Sequence, residues 1–309
     1  MIKNASKFLK RKIAIVRKRS KKIRHILPNK IIRLVKDAEK EVISFAKKGI
    51  DIESKCKYVN IYHCALQKTG TQWIFDVLSD PIVYKYSGMT VEKFKVPRRK
   101  SQTHPLRSLK EPFKKDTIVS GVSGTYKNYV KNIPKNDGKD VVFYVVRDPR
   151  EMVVSWYFST RENHLVDRGS MMQVHRNKLK NKSKKEGLIY TIELFDWKGK
   201  FEVMRSWMDK DNKENIKVVK FEDITNESFS TFKCLFEFLD IKIPNEELSN
   251  LVKSYSFKTL TGRKKGKEDR SSHMRGGVSK SWKKHFDDDL LKLFNSKAHD
   301  LVVGYNYSD

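Results

Sequence analysis

The sequence predicts an α/β fold in which a parallel β-sheet is flanked by helices, with a basic helical N-terminal extension. Residues 141–146 are a continuous run of β-branched and aromatic residues, as in strands that are buried on both faces. A second apolar run covers residues 59–66, and a helical apolar pattern follows it at once. Strand and helix patterns then alternate along the chain, which is typical of parallel sheets covered by helices.

The elements follow from these patterns in chain order. Short apolar runs bounded by turn residues predict strands over 59–66, 117–122, 141–146 and 216–221. Apolar residues at helical spacing predict helices over 31–48, from the loop after the first strand to Ser79, from Pro149 onward, and over 188–209, 228–239, 245–252 and 290–303. Residues 85–115, 161–187 and 261–281 lack such a pattern, so we expect loops there.

Composition limits the classes of protein that fit. The 309 residues are 38% apolar and 11% aromatic, enough for one large α/β domain with an arm. The cysteines, Cys56, Cys64 and Cys234, are too few and scattered for a disulfide framework or a zinc site. We therefore expect a reducing compartment, with Cys64 as a buried thiol in the first strand. No run of 18 apolar residues is present, so we expect no membrane span and no signal peptide.

The N-terminal residues differ from the rest in charge pattern. Residues 1–50 are predicted to form a basic helical arm, and residues 51–309 the α/β domain. In the first 27 residues, lysines and arginines are interleaved with apolar residues, as in segments that lie on anionic membranes or bind nucleic acid. A solvated extension fits equally well. The formal net charge of +29 bears on the partners of the chain and not on its fold.

The stretch after the first strand has the composition of an anion-binding loop. A helix N-terminus presents unpaired backbone N–H groups and the positive end of its dipole. Lys68 adds a positive charge, and Thr69 and Thr71 add hydroxyl donors. The common nucleotide-binding pattern G-x-x-x-x-G-K-[ST] is absent, because Lys68 precedes Gly70 and no glycine comes earlier in the loop. We predict a phosphate-binding loop of a different kind.

Arg147 follows the strand over residues 141–146, at the edge where open α/β sheets bind ligands. Ser155 comes eight residues later, about two helical turns, and is spaced to face the same site. A guanidinium can bind two phosphate oxygens at once. Lys68 and Arg147 leave two separate strand ends, as a ligand with two phosphate groups would require. The structural alternatives for Arg147 are a salt bridge with Asp148 and a cap on a neighbouring loop.

A third candidate is the basic segment from His273 to Phe286, which contains Arg275, Gly276 and Gly277. Glycines allow a backbone to approach a phosphate closely, and the positive charge favours an anion. Phe221-Glu222-Asp223 and Ser256-Phe257 lie between the second and third candidates.

Together these segments resemble the sulfotransferases that use 3′-phosphoadenosine-5′-phosphosulfate (PAPS). That family commonly carries Pro-Lys-Ser-Gly-Thr-Thr-Trp in its phosphosulfate loop, and Gln67 replaces the proline here. Arg147 and Ser155 match the spacing of the family's 3′-phosphate ligands, and Arg275 its C-terminal segment, although Gly276 replaces a lysine. The resemblance implies a P-loop NTPase-like three-layer sandwich. It also implies that PAPS is bound by Lys68, Thr69, Gly70, Thr71, Gln72, Trp73, Arg147, Ser155, Phe221, Phe257, Arg275, Gly276 and Gly277.

The resemblance further implies sulfuryl transfer to an acceptor hydroxyl or amine, without a metal. Lys68 would stabilise the charge that grows on the leaving phosphate. Trp73 would pack near the adenine, or it is an ordinary core tryptophan. A base must take the acceptor's proton, yet residues 121–125, where cytosolic members place a histidine, contain none. We rank His104 first as the base and His164 second, and expect His63 to be a core residue.

Two other functions fit parts of the sequence. A P-loop-like nucleotide kinase or NTPase would need Gly-Lys-Ser/Thr and an acidic strand end, and neither is present. A non-enzymatic nucleic-acid-binding protein would explain the charge, but no recognised binding motif appears.

The basic loops favour a carbohydrate or another anionic or hydroxylated acceptor. We expect a cytoplasmic enzyme, attached peripherally to anionic membranes if residues 1–27 bind them.

Overall fold

The structure is a computed structural model that describes residues 49–94, 111–134, 136, 139–163, 169–269, 272 and 274–307. Nearly all of the predicted arm over residues 1–50, including the proposed membrane-binding segment, lies outside these residues. Every element described below belongs to the unit formed by residues 54–309. In the described part of the chain, no helix has the length and apolar character needed to cross a bilayer.

A five-stranded sheet forms the centre of this unit. Its strands are β1 (Asn60–Ala65), β2 (Thr90–Lys93), β3 (Thr117–Val122), β4 (Asp140–Val146) and β5 (Ile216–Lys220). Their order is β2-β3-β1-β4-β5, and each neighbouring pair is parallel. All carboxyl ends therefore meet at one edge, with β1 in the middle. The predicted parallel α/β fold is confirmed.

Helices cover both faces of the sheet. They are α1 (Thr71–Leu78), α2 (Pro81–Lys85), α3 (Tyr126–Asn132), α4 (Pro149–Phe158), α5 (Met171–Lys180), α6 (Lys184–Trp197), α7 (Lys200–Trp207), α8 (Phe221–Asn226), α9 (Ser228–Phe238), α10 (Asn245–Ser254), α11 (Phe257–Thr261) and α12 (Asp288–Gly304). A π-helical turn covers Ser159–Asn163, and short 3₁₀ helices cover Lys210–Asn212 and Ser281–Lys284.

Alternation of side chains along the strands produces two apolar cores, one on each face of the sheet. Tyr62 and Tyr144 belong to the core that packs against α3 to α7 and α12. Ile61 and Phe143 belong to the other core, which packs against α1, α2 and α8 to α10. Three layers result, as the sequence predicts. Cys64 is buried in the first of these cores, which confirms its prediction.

Three predicted boundaries are wrong. Residues 85–115 include β2, an edge strand that is mostly exposed and so has no alternating apolar pattern. Residues 161–187 include α5, whose buried residues are only His175 and Leu179. The single helix predicted over 188–209 is two helices, α6 and α7, because Gly199 adopts a left-handed conformation with φ of 62° at their junction.

Candidate nucleotide-binding site

The loop between β1 and α1 forms a tight turn that leads into the N-terminus of α1. Lys68 and Gly70 both adopt left-handed backbone conformations, with φ of 78° and 76°. The hydroxyls of Thr69 and Thr71 donate to the carbonyl oxygen of Leu66, at 2.8 and 3.2 Å. Gly70 is the N-cap of α1 and no side chain caps this helix, so its first N–H groups face the loop. The loop therefore has the geometry of an anion site.

Aromatic rings form a wall beside this loop. A Cβ on Gly70 would lie 2.3 Å from the ring of Phe221, so only glycine permits this contact. The indole of Trp73 meets Phe221 edge-on at 6.1 Å, and its Nε1–H donates to the carbonyl oxygen of Tyr255 at 2.8 Å. Trp73 is partly buried. These contacts are compatible with both predictions for Trp73, that it is a core residue and that it packs near the adenine.

Arg147 extends from the end of β4 to the loop after β1. Its Nη1 donates to the carbonyl oxygen of Lys68 at 2.9 Å, and its guanidinium lies 4.8 Å from the Phe221 ring centre. Its Nε is buried and has no hydrogen-bond partner among the described residues. The salt bridge of Asp148 is made with Arg150 at 2.9 Å. The predicted pair of Arg147 with Asp148 is therefore wrong, whereas the hydrogen bond to the Lys68 carbonyl is the cap on a neighbouring loop that the other structural alternative predicts.

Arg275 enters from the C-terminal segment. Its Nη2 donates to Ser281 Oγ at 2.8 Å, and its guanidinium lies 4.7 Å from the Phe158 ring centre on α4. Gly277, with φ of 66°, follows two residues later, and a Cβ there would lie 2.5 Å from the Phe257 ring. Phe257 is buried, and its ring packs against this segment at Gly277.

The electrostatics of Lys68 reflect these neighbours. The pKa of its ammonium is lowered from 10.5 to about 8, first by burial and then by the positive charges of Arg147 and Arg275. Three cationic groups from distant parts of the chain therefore affect one another. Such a cluster costs free energy in the absence of a counter-ion and is relieved by an anion.

Other predicted site residues take different positions. Ser155 is partly buried on α4, two turns beyond Arg147. The side chain of Gln72 is exposed, donates to Asp76 at 3.0 Å and accepts from Lys93, so only its backbone faces the loop. Gly276 is buried, and a Cβ there would lie 3.3 Å from Glu268.

Of the three histidines considered as the base, the structure describes only His63. His104 and His164 lie outside the described residues, so their predicted role stays a prediction. His63 is fully buried, stacks on Phe143 at 4.8 Å and lies 2.8 Å from Ser120 Oγ. Burial lowers the pKa of His63 to about 3, which confirms it as a core residue.

Sequence reasoning missed three groups of the site. Glu151 is a buried carboxylate beside Arg147, and Glu222 accepts from the backbone N–H of Asp148 at 3.1 Å. Arg263 donates to the carbonyl oxygens of Lys267, Met274 and Arg275 and so shapes the C-terminal segment. Only Glu151 gives a signal in the sequence, since it follows Arg147 by four residues at a helix start.

A parallel sheet flanked by helices, with a helix N-terminus after its central strand and an arginine at the next strand end, defines an α/β protein with a candidate ligand site at the carboxyl edge of the sheet. A family model described as "Sulfotransferase domain" matches residues 60–303, and the chain belongs to this family. The predicted resemblance is therefore confirmed, and the kinase alternative is set aside.

Relatives and solved structures agree with this assignment. The chain is 25% identical to "Sulfotransferase 2A6" of Mus musculus over 176 residues, 54% of this chain and 58% of the relative. It is 25% identical to "3-beta-hydroxysteroid sulfotransferase" of Cavia porcellus over 182 residues, with the same shares. The chain thus spans less than two thirds of the curated relatives it matches. The solved structure of a mouse sulfotransferase, SULT7A1, in complex with PAP (3′-phosphoadenosine-5′-phosphate) has the same fold, with a TM-score of 0.52. The two chains are 17% identical, and the match covers 85% of this chain and 93% of that one.

Proposed function

We propose that this protein transfers a sulfuryl group from PAPS to an acceptor hydroxyl and releases 3′-phosphoadenosine-5′-phosphate (PAP). One observation carries the proposal: Lys68, Arg147 and Arg275 come from three distant segments and converge beside one helix N-terminus. A ligand with two separated phosphate groups fits such an arrangement, because Lys68 and Arg147 leave different strand ends. Within this proposal, residues 51–309 form the sulfotransferase domain and residues 1–50 its arm.

The chemistry assigned to the loop is electrostatic. In the transfer, the bond between sulfur and the bridging phosphate oxygen breaks while a bond forms between sulfur and the acceptor oxygen. Negative charge then grows on the bridging oxygen, and a fixed cation beside it lowers the barrier. We assign this role to Lys68, helped by the backbone N–H groups from Thr69 to Gln72. Donor and acceptor must also be held in line, which the rigid loop favours.

The remaining PAPS contacts are assigned by position. Arg147, with a buried Nε that no described residue uses, and Arg275 would bind the 3′-phosphate, with Ser155 in support. Trp73, Phe221 and Phe257 would flank the adenine, and Gly276 and Gly277 would let the backbone approach the phosphate. Gly70 keeps its role in shaping the loop.

The nucleotide assignment is tested by calorimetric titration with PAP, using ADP as the control ligand, on wild type and Arg147→Ala. We expect tight binding of PAP, weak binding of ADP, and loss of that preference in the variant. The difference comes from the 3′-phosphate, which ADP lacks and a guanidinium binds through two oxygens. Equal binding of ADP and PAP by wild type would refute the proposal.

The base is proposed to be His104, with His164 as the alternative. Residues 121–125, at the end of β3 and just after it, carry no ionisable group that could take the proton, apart from hydroxyls. We expect His104→Ala to lower kcat by about 100-fold or more, while PAP affinity stays unchanged. His299→Ala, an exposed histidine on α12, is the matched control. Full activity in His104→Ala with loss in His164→Ala would reverse the order.

The acceptor is proposed to be a hydroxylated molecule, and a carbohydrate is our first choice because of the basic loops. The relative from Cavia porcellus is named for 3-beta-hydroxysteroids, which supports a hydroxyl acceptor but not a carbohydrate. PAP formation should be measured with a uronic-acid oligosaccharide and with a 3-hydroxysteroid. Turnover of the steroid alone would refute the carbohydrate choice.

The N-terminal arm completes the proposal. Residues 1–27 would attach a cytoplasmic enzyme to anionic membranes, since basic amphipathic segments bind such surfaces. Sedimentation with vesicles of anionic lipid should pull down the full chain and leave a chain without residues 1–27 in solution. Equal binding by both would remove this part of the proposal.

A further inference from the structure

Glu151 is a fully buried carboxylate on the first turn of α4. Its Oε1 accepts from the backbone N–H of Trp282 at 2.9 Å, and its Oε2 accepts from Ser281 Oγ at 3.0 Å. The same Oε2 lies 3.3 Å from Arg147 Nη2. One carboxylate therefore joins the end of β4 to the C-terminal segment.

The contacts continue on both sides of Glu151. Ser281 Oγ accepts from Arg275 Nη2 at 2.8 Å, so an unbroken path of polar contacts runs from Arg147 through Glu151 and Ser281 to Arg275. The indole of Trp282 lies 4.0 Å from the guanidinium of Arg150 on the same helix turn. The two arginines assigned to the 3′-phosphate are thus parts of a single network.

Stability alone does not account well for a buried carboxylate at position 151. Burying a carboxylate costs free energy that its partners offset only with good geometry, and an apolar side chain often serves stability as well. Glu151 also accepts from Arg147 Nη2, the Lys68 carbonyl accepts from Nη1, and the buried Nε has no hydrogen-bond partner among the described residues. The network therefore fixes the orientation of the guanidinium that we assign to the 3′-phosphate.

We infer that Glu151 is a positioning residue that holds Arg147 and Arg275 together as one clamp for the 3′-phosphate of the nucleotide. It acts through the arginines and does not contact the ligand. Its negative charge offsets the repulsion between the two guanidinium groups before the phosphate arrives. The inference rests on the proposed function, and it concerns the selectivity for PAP over ADP.

The test compares PAP and ADP binding by calorimetry in wild type and Glu151→Gln, with melting temperatures for both. Glutamine keeps the size of the side chain and an acceptor for the Trp282 N–H, but it removes the charge. We expect PAP affinity to fall about tenfold, while ADP affinity stays within about twofold of wild type. Glu247→Gln, which removes the charge of a carboxylate that accepts from Lys85 and Tyr86 OH, is the matched control and should keep the full preference.

Ser281→Ala provides a second variant in case Glu151→Gln folds poorly. It cuts the path to Arg275 only, so we expect a fall in PAP affinity of about threefold. Because both changes interrupt one path, the double variant should match Glu151→Gln alone and not show the product of the two effects.

Each result has one meaning. If wild type prefers PAP and both variants keep that preference, the inference about Glu151 is wrong while the proposed function stands. If wild type binds PAP and ADP equally, the proposed function itself fails. Loss of the preference in both variants, with Glu247→Gln unchanged, supports the clamp.

Discussion

The guanidinium of Arg147 donates a hydrogen bond of 2.9 Å to the backbone carbonyl of Lys68, a residue 79 positions earlier in the chain. The bond ties the end of β4 to the loop after β1, so the two cations cannot move independently. It engages the backbone carbonyl of Lys68 and not the ammonium group. Under the proposed function, both residues should therefore act on PAP binding.

PAP binding should depend on pH through Lys68. Its pKa of about 8 in the free protein lies below the ordinary 10.5, and a bound phosphate favours the charged form. Affinity should change little just below pH 8, where the phosphates are fully ionised, and fall by up to about tenfold per pH unit above it. Calorimetry in buffers of different ionisation enthalpy should detect proton uptake above pH 8.

Lys68→Arg is the control for that titration, because a guanidinium stays charged across the whole range. Its PAP affinity should be flat from pH 7 to about 10.

The lowered pKa of Lys68 affects the free energy of unfolding in the opposite direction to PAP affinity. Between pH 8 and 10.5 the unfolded chain binds this proton and the folded chain does not. Lys68 alone therefore makes stability rise with pH in that window. A pH-independent affinity in wild type would contradict this account.

Gly70→Ala should disrupt the loop. The new Cβ would lie 2.3 Å from the Phe221 ring, and φ of 76° disfavours alanine. We expect a loss of about 1–3 kcal/mol in the free energy of unfolding and at least about tenfold in PAP affinity. Chemical denaturation and calorimetry measure the two effects.

Gly199→Ala is the matched control for Gly70→Ala. It has a similar φ of 62° but nothing within 4 Å of the added Cβ. It should cost stability through backbone strain alone and leave PAP affinity unchanged. Equal loss of PAP affinity in both variants would mean that contact with Phe221 is unimportant.

Arg263→Lys should loosen the C-terminal segment. The guanidinium donates to three carbonyl oxygens there, and one ammonium cannot reproduce that fork. We expect PAP affinity to fall about fivefold with a small change in melting temperature. Arg161→Lys removes a comparable arginine, which donates to the carbonyls of Leu179 and Lys182, and should leave PAP affinity unchanged.

Tyr307→Phe should weaken the support of the Arg147 turn. Tyr307 OH donates to Glu222 at 3.2 Å, and Glu222 accepts from the backbone N–H of Asp148, the residue after Arg147. Loss of this hydrogen bond should cost about 1 kcal/mol in stability and about threefold in PAP affinity. Tyr305→Phe, which loses a bond to the Met204 carbonyl, should cost stability alone. An effect of Tyr305→Phe on PAP affinity would argue against a specific support.

Local pattern predicted the parts of the fold that are buried or regularly spaced. The run at 141–146 could only be a buried strand, and it is β4. Edge strand β2 gave no signal, because most of its residues face solvent and the pattern depends on burial. Helix α5 was missed for the same reason, since its only buried residues are His175 and Leu179.

Local sequence is enough to predict the loop from Gln67 to Trp73, the strand end at Arg147 and the glycines before Ser281, because each depends on residues close together in the chain. The contact of Phe221 with Gly70, and the link that Glu151 makes between Arg147 and the segment of Arg275, are visible only in the folded chain. Glu151 and Ser281 are 130 residues apart. Contacts over such separations depend on how the strands are ordered in the sheet, and no local pattern records that order.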